Sequence, residues 1–242
     1  MYCLWRRSIE GLVRAGIFGG TFDPVHNGHL RAAEEIGESF SLERIYFVPV
    51  FIPPHKNNRQ ISDAADRLAM VRLAIKGNNR FKVSDAELKR GGISYSIDTI
   101  QVMEKKFEEL YYLIGVDAFS EIHTWHRYTD LFYHTNFVVM VRPNHKRKTG
   151  LMMFPAAVRK HMKRLNDGIF KHVSGRKVYL HFVTQLDISA TRIRASIGED
   201  KSIRYLVPSA VEKHIKERKL YQEKYQAGKA RRAGKVLAGE KA

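Results

Sequence analysis

The 242-residue chain predicts a single α/β domain, a mostly parallel sheet with helices on both faces. Three observations lead there. Compact runs of β-branched and aromatic residues, among them Ile45-Tyr-Phe-Val-Pro-Val50 and Asn136-Phe-Val-Val-Met-Val141, read as buried strands. Segments of helical length separate them, so strand and helix alternate along the chain. The length suits one sizeable core, and no internal repeat divides it.

The first unit is Ile17-Phe-Gly-Gly-Thr-Phe-Asp-Pro-Val-His-Asn-Gly-His-Leu30. A strand over 14–18 breaks at a glycine pair, turns through Thr-Phe-Asp-Pro and enters a helix that carries His26 and His29 and runs to Phe40. Gly19 and Gly20 permit unusual backbone angles and leave room for a ligand beside the main chain. The helix start aims its N–H groups and positive dipole end at the turn, which makes an anion site. Two histidines three apart share one face of the first helical turn. The stretch is neither a P-loop nor the dinucleotide fingerprint, because Gly-Lys-Ser/Thr and Gly-x-Gly-x-x-Gly are both absent. An isolated His-x-x-His is equally a metal-ligand pair or a helix-start decoration; the glycine turn favours phosphate.

Ile45–Val50 is the second strand, completing a right-handed crossover unit whose ligand side is the carboxyl ends of the strands. Ile52-Pro-Pro-His-Lys56 follows, a restrained loop that presents His55 and Lys56. A helix is expected over 62–77 with Ser62 or Asp63 as its cap. A short strand at 81–84 precedes Glu87-Leu-Lys-Arg-Gly-Gly-Ile-Ser-Tyr-Ser-Ile-Asp-Thr99, which leads into a helix starting near Ser94 or Ser96. The strand at 110–115 ends at Gly115, with Asp117 next and Trp125 eight residues later. Trp125 taken alone reads as a core or capping aromatic. After the strand at 136–141 a helix is expected over 154–165, then a strand at 177–183. Leu186-Asp-Ile-Ser-Ala-Thr-Arg-Ile-Arg194 reads as a capped helix start, with Ser189 and Thr191 able to hold phosphate and Arg194 within reach of it. A final helix is expected over 210–221. The division is thus an extension at 1–13, the domain at 14–221 and a basic tail at 222–242 whose composition gives little to bury.

Ten defined positions in a run of twelve, Gly-Gly-Thr-Phe-Asp-Pro-x-His-x-Gly-His-Leu, resemble the signature of the nucleotidyltransferases with a His-x-Gly-His motif, and among them the nicotinate-nucleotide adenylyltransferase family. The resemblance spans 14–221 and continues in Pro53-Pro-His-Lys56, Ser94-Tyr-Ser96, Gly-x-Asp117 with Trp125, and Ile188-Ser-Ala-Thr-Arg-Ile-Arg194. Three positions depart from the family pattern: Ser96 stands for Thr, Ile100 for Leu and Ala190 for Ser.

The resemblance implies a Rossmann-like fold and transfer of the adenylyl group of ATP to nicotinate mononucleotide, with Mg²⁺ accompanying the phosphates and no dedicated protein metal site. It implies ATP contacts from Gly19, Gly20, Thr21, Phe22, His26, His29, Ser189, Thr191 and Arg194, with His26, His29 and Arg194 in catalysis. It places His55, Lys56, Ser94, Tyr95, Ser96, Asp117 and Trp125 at the acceptor. Nicotinamide mononucleotide is the alternative acceptor. A class I tRNA synthetase shares the shorter His-x-Gly-His but needs a Lys-Met-Ser-Lys-Ser-type loop where this chain has Ile188–Arg194.

The net charge of +17 is concentrated. Eleven Lys/Arg face the single acid Asp167 between Arg142 and Lys177, and six face Glu223 and Glu240 in the tail. Such an excess is a solvated surface or a means of recruiting anionic substrates or RNA; RNA binding is the remote alternative function. The lone Cys3 excludes an intrachain disulfide and suits a reducing cytoplasm. No run approaches the roughly 18 apolar residues of a membrane span. A homo-oligomer stays open.

Overall fold

The computed structural model describes residues 13–54, 61–141 and 150–222. Among the described residues, eight strands form one sheet in the order β3-β2-β1-β4-β5-β8-β7-β6. β1 (Arg14–Gly20), β2 (Arg44–Pro49), β3 (Phe81–Val83), β4 (Glu109–Gly115), β5 (Asn136–Val141) and β8 (Lys177–Phe182) run parallel. β6 (Met162–Asn166) and β7 (Ile169–His172) add an antiparallel hairpin at one edge. The helices are α1 (Asn27–Ser39), α2 (Ala64–Ala74), α3 (Ala86–Arg90), α4 (Ser96–Glu104), α5 (Val116–Ser120), α6 (Tyr128–His134), α7 (Ala156–Arg159), α8 (Ala190–Gly198) and α9 (Ser209–Glu217). Among the described residues, no helix is long and apolar enough to cross a membrane.

Strand alternation divides the core. Phe18, Tyr111, Leu113 and Val138 meet Ala33 and Ile36 of α1, Met70 and Val71 of α2, Ile193 of α8 and Val211 of α9. Their strand neighbours Ile17, Tyr112, Ile114, Phe137 and Val139 face the other way, onto Ile97 and Ile100 of α4, Phe119 of α5 and Leu131 of α6. Strands covered on both faces have no polar side to show, which is why they read as continuous apolar runs.

The expected helix at 154–165 is a correction. Only α7 is helical there, and from Met162 the chain enters the β6–β7 hairpin. Asn166-Asp-Gly168 is a turn sequence, and Gly168 takes φ +77, where a β-carbon would stand 3.1 Å from the carbonyl oxygen of Leu180. Part of the basic stretch is therefore the exposed face of an edge hairpin, where lysine and arginine discourage further strand pairing.

The chain leaves β1 for β2 and β3 on one side, then returns to β4 on the other. The strand order reverses between β1 and β4, and a crevice opens over their carboxyl ends.

Candidate active site

Two adjoining cavities occupy that crevice, sharing Phe18 of β1 and Gly115 of β4. The first, about 360 Å³, is lined by Gly19, Gly20 and Thr21, by Pro53 and Pro54, by Ser94, Tyr95 and Ser96, and by Tyr112 and Trp125. The second, about 260 Å³, is lined by His26, Gly28 and His29, by Asp117, and by Ile188, Ser189 and Ala190. Residues spread from 19 to 190 thus converge on two neighbouring hollows.

The histidines do not both sit within the helix, as their spacing suggested. His26 is the N-cap of α1, with extended angles of φ −145 and ψ 168, and His29 is at the third helical position. Their rings stack at 3.7 Å. The backbone N–H of His26 donates to Nδ1 of His29 at 3.2 Å. That bond makes Nδ1 an acceptor and leaves the proton of the neutral ring on Nε2, so His29 can offer an N–H to a phosphate oxygen. Phe22 and Phe18 hold the His29 ring edge-on at 5.2 and 5.9 Å.

The glycine turn works differently from its sequence reading. Neither Gly19 nor Gly20 has a positive φ; the left-handed residue is Phe22, at φ 48. Gly19 is small because a β-carbon there would lie 2.6 Å from the Tyr112 hydroxyl, and Gly20 because one would meet the Phe22 ring at 3.0 Å. The space expected for a ligand is taken by aromatic side chains. Gly19, Gly20 and Thr21 also line the Trp125 cavity, not the histidine cavity, and Phe22 lines neither.

Arg67 of α2 fixes this turn. Its guanidinium is 1% exposed and donates to the carbonyls of Thr21, Val50, Phe51 and Ser62 at 2.6 to 3.1 Å. Burial pulls its pKa below the ordinary arginine value, and buried Asp23 leads the charges that counter this. Asp23 accepts from the Tyr221 hydroxyl at 2.8 Å, tying the end of the described chain to the turn. The backbone carbonyl of Asp23 accepts from Arg194 at 2.7 Å.

Ser189 caps α8, accepting from the N–H of Arg192, and Arg194 also reaches the Thr191 hydroxyl at 3.4 Å. Ser189 lines the histidine cavity, whereas Thr191 is exposed and neither it nor Arg194 lines either hollow. Arg194 stands behind the turn, with the rest of its donor fork beyond these two contacts.

In the other cavity Ser94 accepts from the Phe51 N–H at 2.9 Å and donates its own N–H to the Ile52 carbonyl at 2.9 Å. Two loops are thereby closed against each other. Ser96 opens α4, and its hydroxyl is 2.9 Å from that of Tyr112. Tyr95 lies against His126 at 4.2 Å, and Trp125 meets Tyr112 edge-on at 6.2 Å. Asp117, expected beside Trp125, lines the histidine cavity instead, as the second residue of α5 after the Gly115 cap. His55 and Lys56 lie outside the described residues.

Sequence reasoning missed Arg67, Tyr112 and Gly28. A charged residue within an amphipathic helix reads as solvent-facing, and a tyrosine within an apolar strand reads as core. Gly28 stood inside the quoted motif. Its β-carbon would press the His26 ring at 3.1 Å, so the glycine seats the cap.

Residues 17–196 match the cytidylyltransferase-like family model. A probable nicotinate-nucleotide adenylyltransferase of Desulfatibacillum aliphaticivorans is 41% identical over 86% of this chain and all of its own length. One from Citrifermentans bemidjiense is 42% identical over 86% of this chain and 98% of its own. In fold, the chain is similar to Plasmodium falciparum nicotinic acid mononucleotide adenylyltransferase complexed with NaAD, with a TM-score of 0.65 and 18% identity over 86% of this chain and 97% of that one.

Two outcomes test the construction. Arg67→Ala strands several buried carbonyls at about 1–3 kcal/mol apiece. The variant should lose about 3 kcal/mol or more in urea unfolding; a loss below about 1 kcal/mol would mean that the turn holds itself. Gly28→Ala should help the helix by up to about 1 kcal/mol while displacing His26. We expect turnover to fall about tenfold or more with no loss of thermal stability, since small misplacements at reacting centres are costly. Wild-type turnover would remove Gly28 from the site. The chain, with its paired histidines over the end of β1 and its sequence kinship across nearly the whole domain, belongs to the nicotinate-nucleotide adenylyltransferase family of cytidylyltransferase-like enzymes.

Proposed function

We propose that the chain transfers the adenylyl group of ATP to nicotinate mononucleotide, giving nicotinate adenine dinucleotide and pyrophosphate, a step in NAD biosynthesis. The observation that carries this reading is the pair of cavities meeting at Phe18 and Gly115, one lined by the paired histidines, the other by Tyr95, Tyr112 and Trp125. Two substrates placed in them would meet over the ends of β1 and β4.

ATP takes the histidine cavity. Its phosphates face Nε2–H of His29, the His26 ring and the starts of α1 and α8, where helix dipoles favour negative charge. The acceptor takes the other cavity, its pyridine ring on Trp125 and its phosphate toward the Gly19–Thr21 turn. The acceptor phosphate attacks the α-phosphorus, and pyrophosphate departs with the bonding electron pair. No side-chain nucleophile is needed, and catalysis is positioning plus stabilisation of charge on the departing oxygens. Arg194, tethered to the turn through Asp23, serves that charge from behind it. Magnesium would enter with the nucleotide as part of the substrate and would supply charge neutralisation at the phosphates. Asp117 is the carboxylate among the residues lining that cavity.

The start of α4 supports the acid over the amide. Ser96 spends its hydroxyl on Tyr112, so what α4 presents to the cavity is backbone N–H and its positive dipole end, which suits a carboxylate. The serine in place of threonine therefore costs no ligand contact.

Pyrophosphate release from ATP tests the proposal, with nicotinate mononucleotide and its amide compared at equal concentration. Release favouring the acid is expected; release favouring the amide would overturn the acceptor, and none with either would overturn the reaction. His29→Ala should lower turnover about 100-fold or more with the fold intact. A loss below about threefold would remove His29 from the phosphates.

A further inference from the structure

A buried carboxyl lies behind the aromatic cavity and belongs to neither substrate. Glu87 of α3 is 4% exposed. Its Oε1 accepts from the Thr99 hydroxyl of α4 at 2.6 Å, and the nearby Ser94 hydroxyl favours the charged form of the carboxyl. Oε2 has no hydrogen-bond partner, and no Lys, Arg or His is ion-paired with Glu87 among the described residues. Arg90, on the same helix, is directed to Asp98 at 3.8 Å.

Ser94 sits between the two loops and the carboxyl. It accepts from the Phe51 N–H, so its own proton is available to the Glu87 carboxyl, and it also lines the cavity. A chain of contacts then runs from the Phe51 loop through Ser94 to Glu87 and on to Thr99 in the first turns of α4. Thr99 fastens α4 to this carboxyl, and Ser94 ties the Phe51 loop down beside it.

We propose that Glu87 is a positioning residue for the acceptor: through Ser94 and Thr99 it holds the 93–96 turn, and ionisation of Glu87 selectively weakens binding of an acceptor that carries a ring carboxylate. This rests on the acceptor reading above. An unpaired charge in so dry a place is unfavourable, and burial indeed raises the pKa of Glu87 above its ordinary 4.5, against the opposing hydrogen bonds of Thr99 and Ser94. The charged groups around it are Arg90 on α3, Asp98 on α4 and Arg67 on α2, with the Tyr112 hydroxyl on β4. The sign follows. At low pH Glu87 is neutral and the turn is held without a charge behind it; as pH rises through its elevated pKa, a carboxylate forms behind the wall that meets the acceptor's own carboxylate.

The test is the ratio of kcat/KM for nicotinate mononucleotide to that for its amide, followed with pH on the full chain. Both acceptors carry the same phosphate, so its titration cancels. In the wild type the ratio should fall by about threefold or more as pH rises above the ordinary carboxylate range. Glu87→Gln keeps the uncharged hydrogen bonds and should flatten that profile. Glu87→Ala should raise the acceptor KM at every pH, with the ATP KM unmoved, and Glu87→Gln should restore it. A pH-independent ratio in the wild type, or the same slope in Glu87→Gln, would overturn the inference alone. Absence of turnover with either acceptor would overturn the acceptor reading and this inference with it.

Discussion

The site depends on one buried cation. Arg67 occupies the space between the glycine turn, the end of β2 and the start of α2, where three chain segments leave the sheet and expose carbonyl oxygens to each other. Regular pairing cannot satisfy oxygens that point inward from irregular backbone. A planar fork of donors can, and burying a guanidinium is tolerable only because several acceptors and the Asp23 carboxylate surround it. The turn is therefore held from behind, leaving its front to ligands. The same logic recurs at Asp23, whose side chain receives Tyr221 and whose carbonyl receives Arg194. Elements separated by nearly 200 residues are pinned to one loop.

From that fixed turn the two cavities follow. β1 ends beside β4, the strand order reverses, and α1 and α5 leave the two strand ends in different directions. Phe18 and Gly115 form the seam. On one side the stacked histidines cap α1, so one arrangement both satisfies a helix end and prepares a donor for phosphate. On the other, Tyr112 fills the space beside Gly19 and bonds Ser96, packing the wall on which an aromatic ring can rest. The histidine-lined and Trp125-lined hollows thus stay adjacent, meeting at Phe18 and Gly115.

The sequence made the sheet, its parallel core and most strand limits legible, because continuous apolar runs flanked by glycine and proline admit few other readings. The first crossover and the Ser189 cap were likewise legible from local chemistry, whereas the grouping of Ser94, Tyr95, Ser96 and Trp125 followed from the family resemblance. What was hidden depends on contacts far apart in the chain. Nothing local marks Arg67 or Glu87 as buried, since a charged residue on a helix normally faces water. The need for Gly19 comes from Tyr112, some ninety residues away. The hairpin at 162–172 was misread because Met162-Lys-Arg-Leu165 has no clear period of its own, and its Asn-Asp-Gly turn outweighs it.

The central claim is that acceptor and ATP occupy separate hollows, with Trp125 touching only the acceptor. The chain has two tryptophans, so replacing Trp5 with Phe leaves Trp125 as the sole indole reporter. Its emission, titrated with each substrate alone, tests the division directly. Saturable quenching by nicotinate mononucleotide with no response to ATP is the predicted result. Quenching by ATP without response to the mononucleotide would contradict the account.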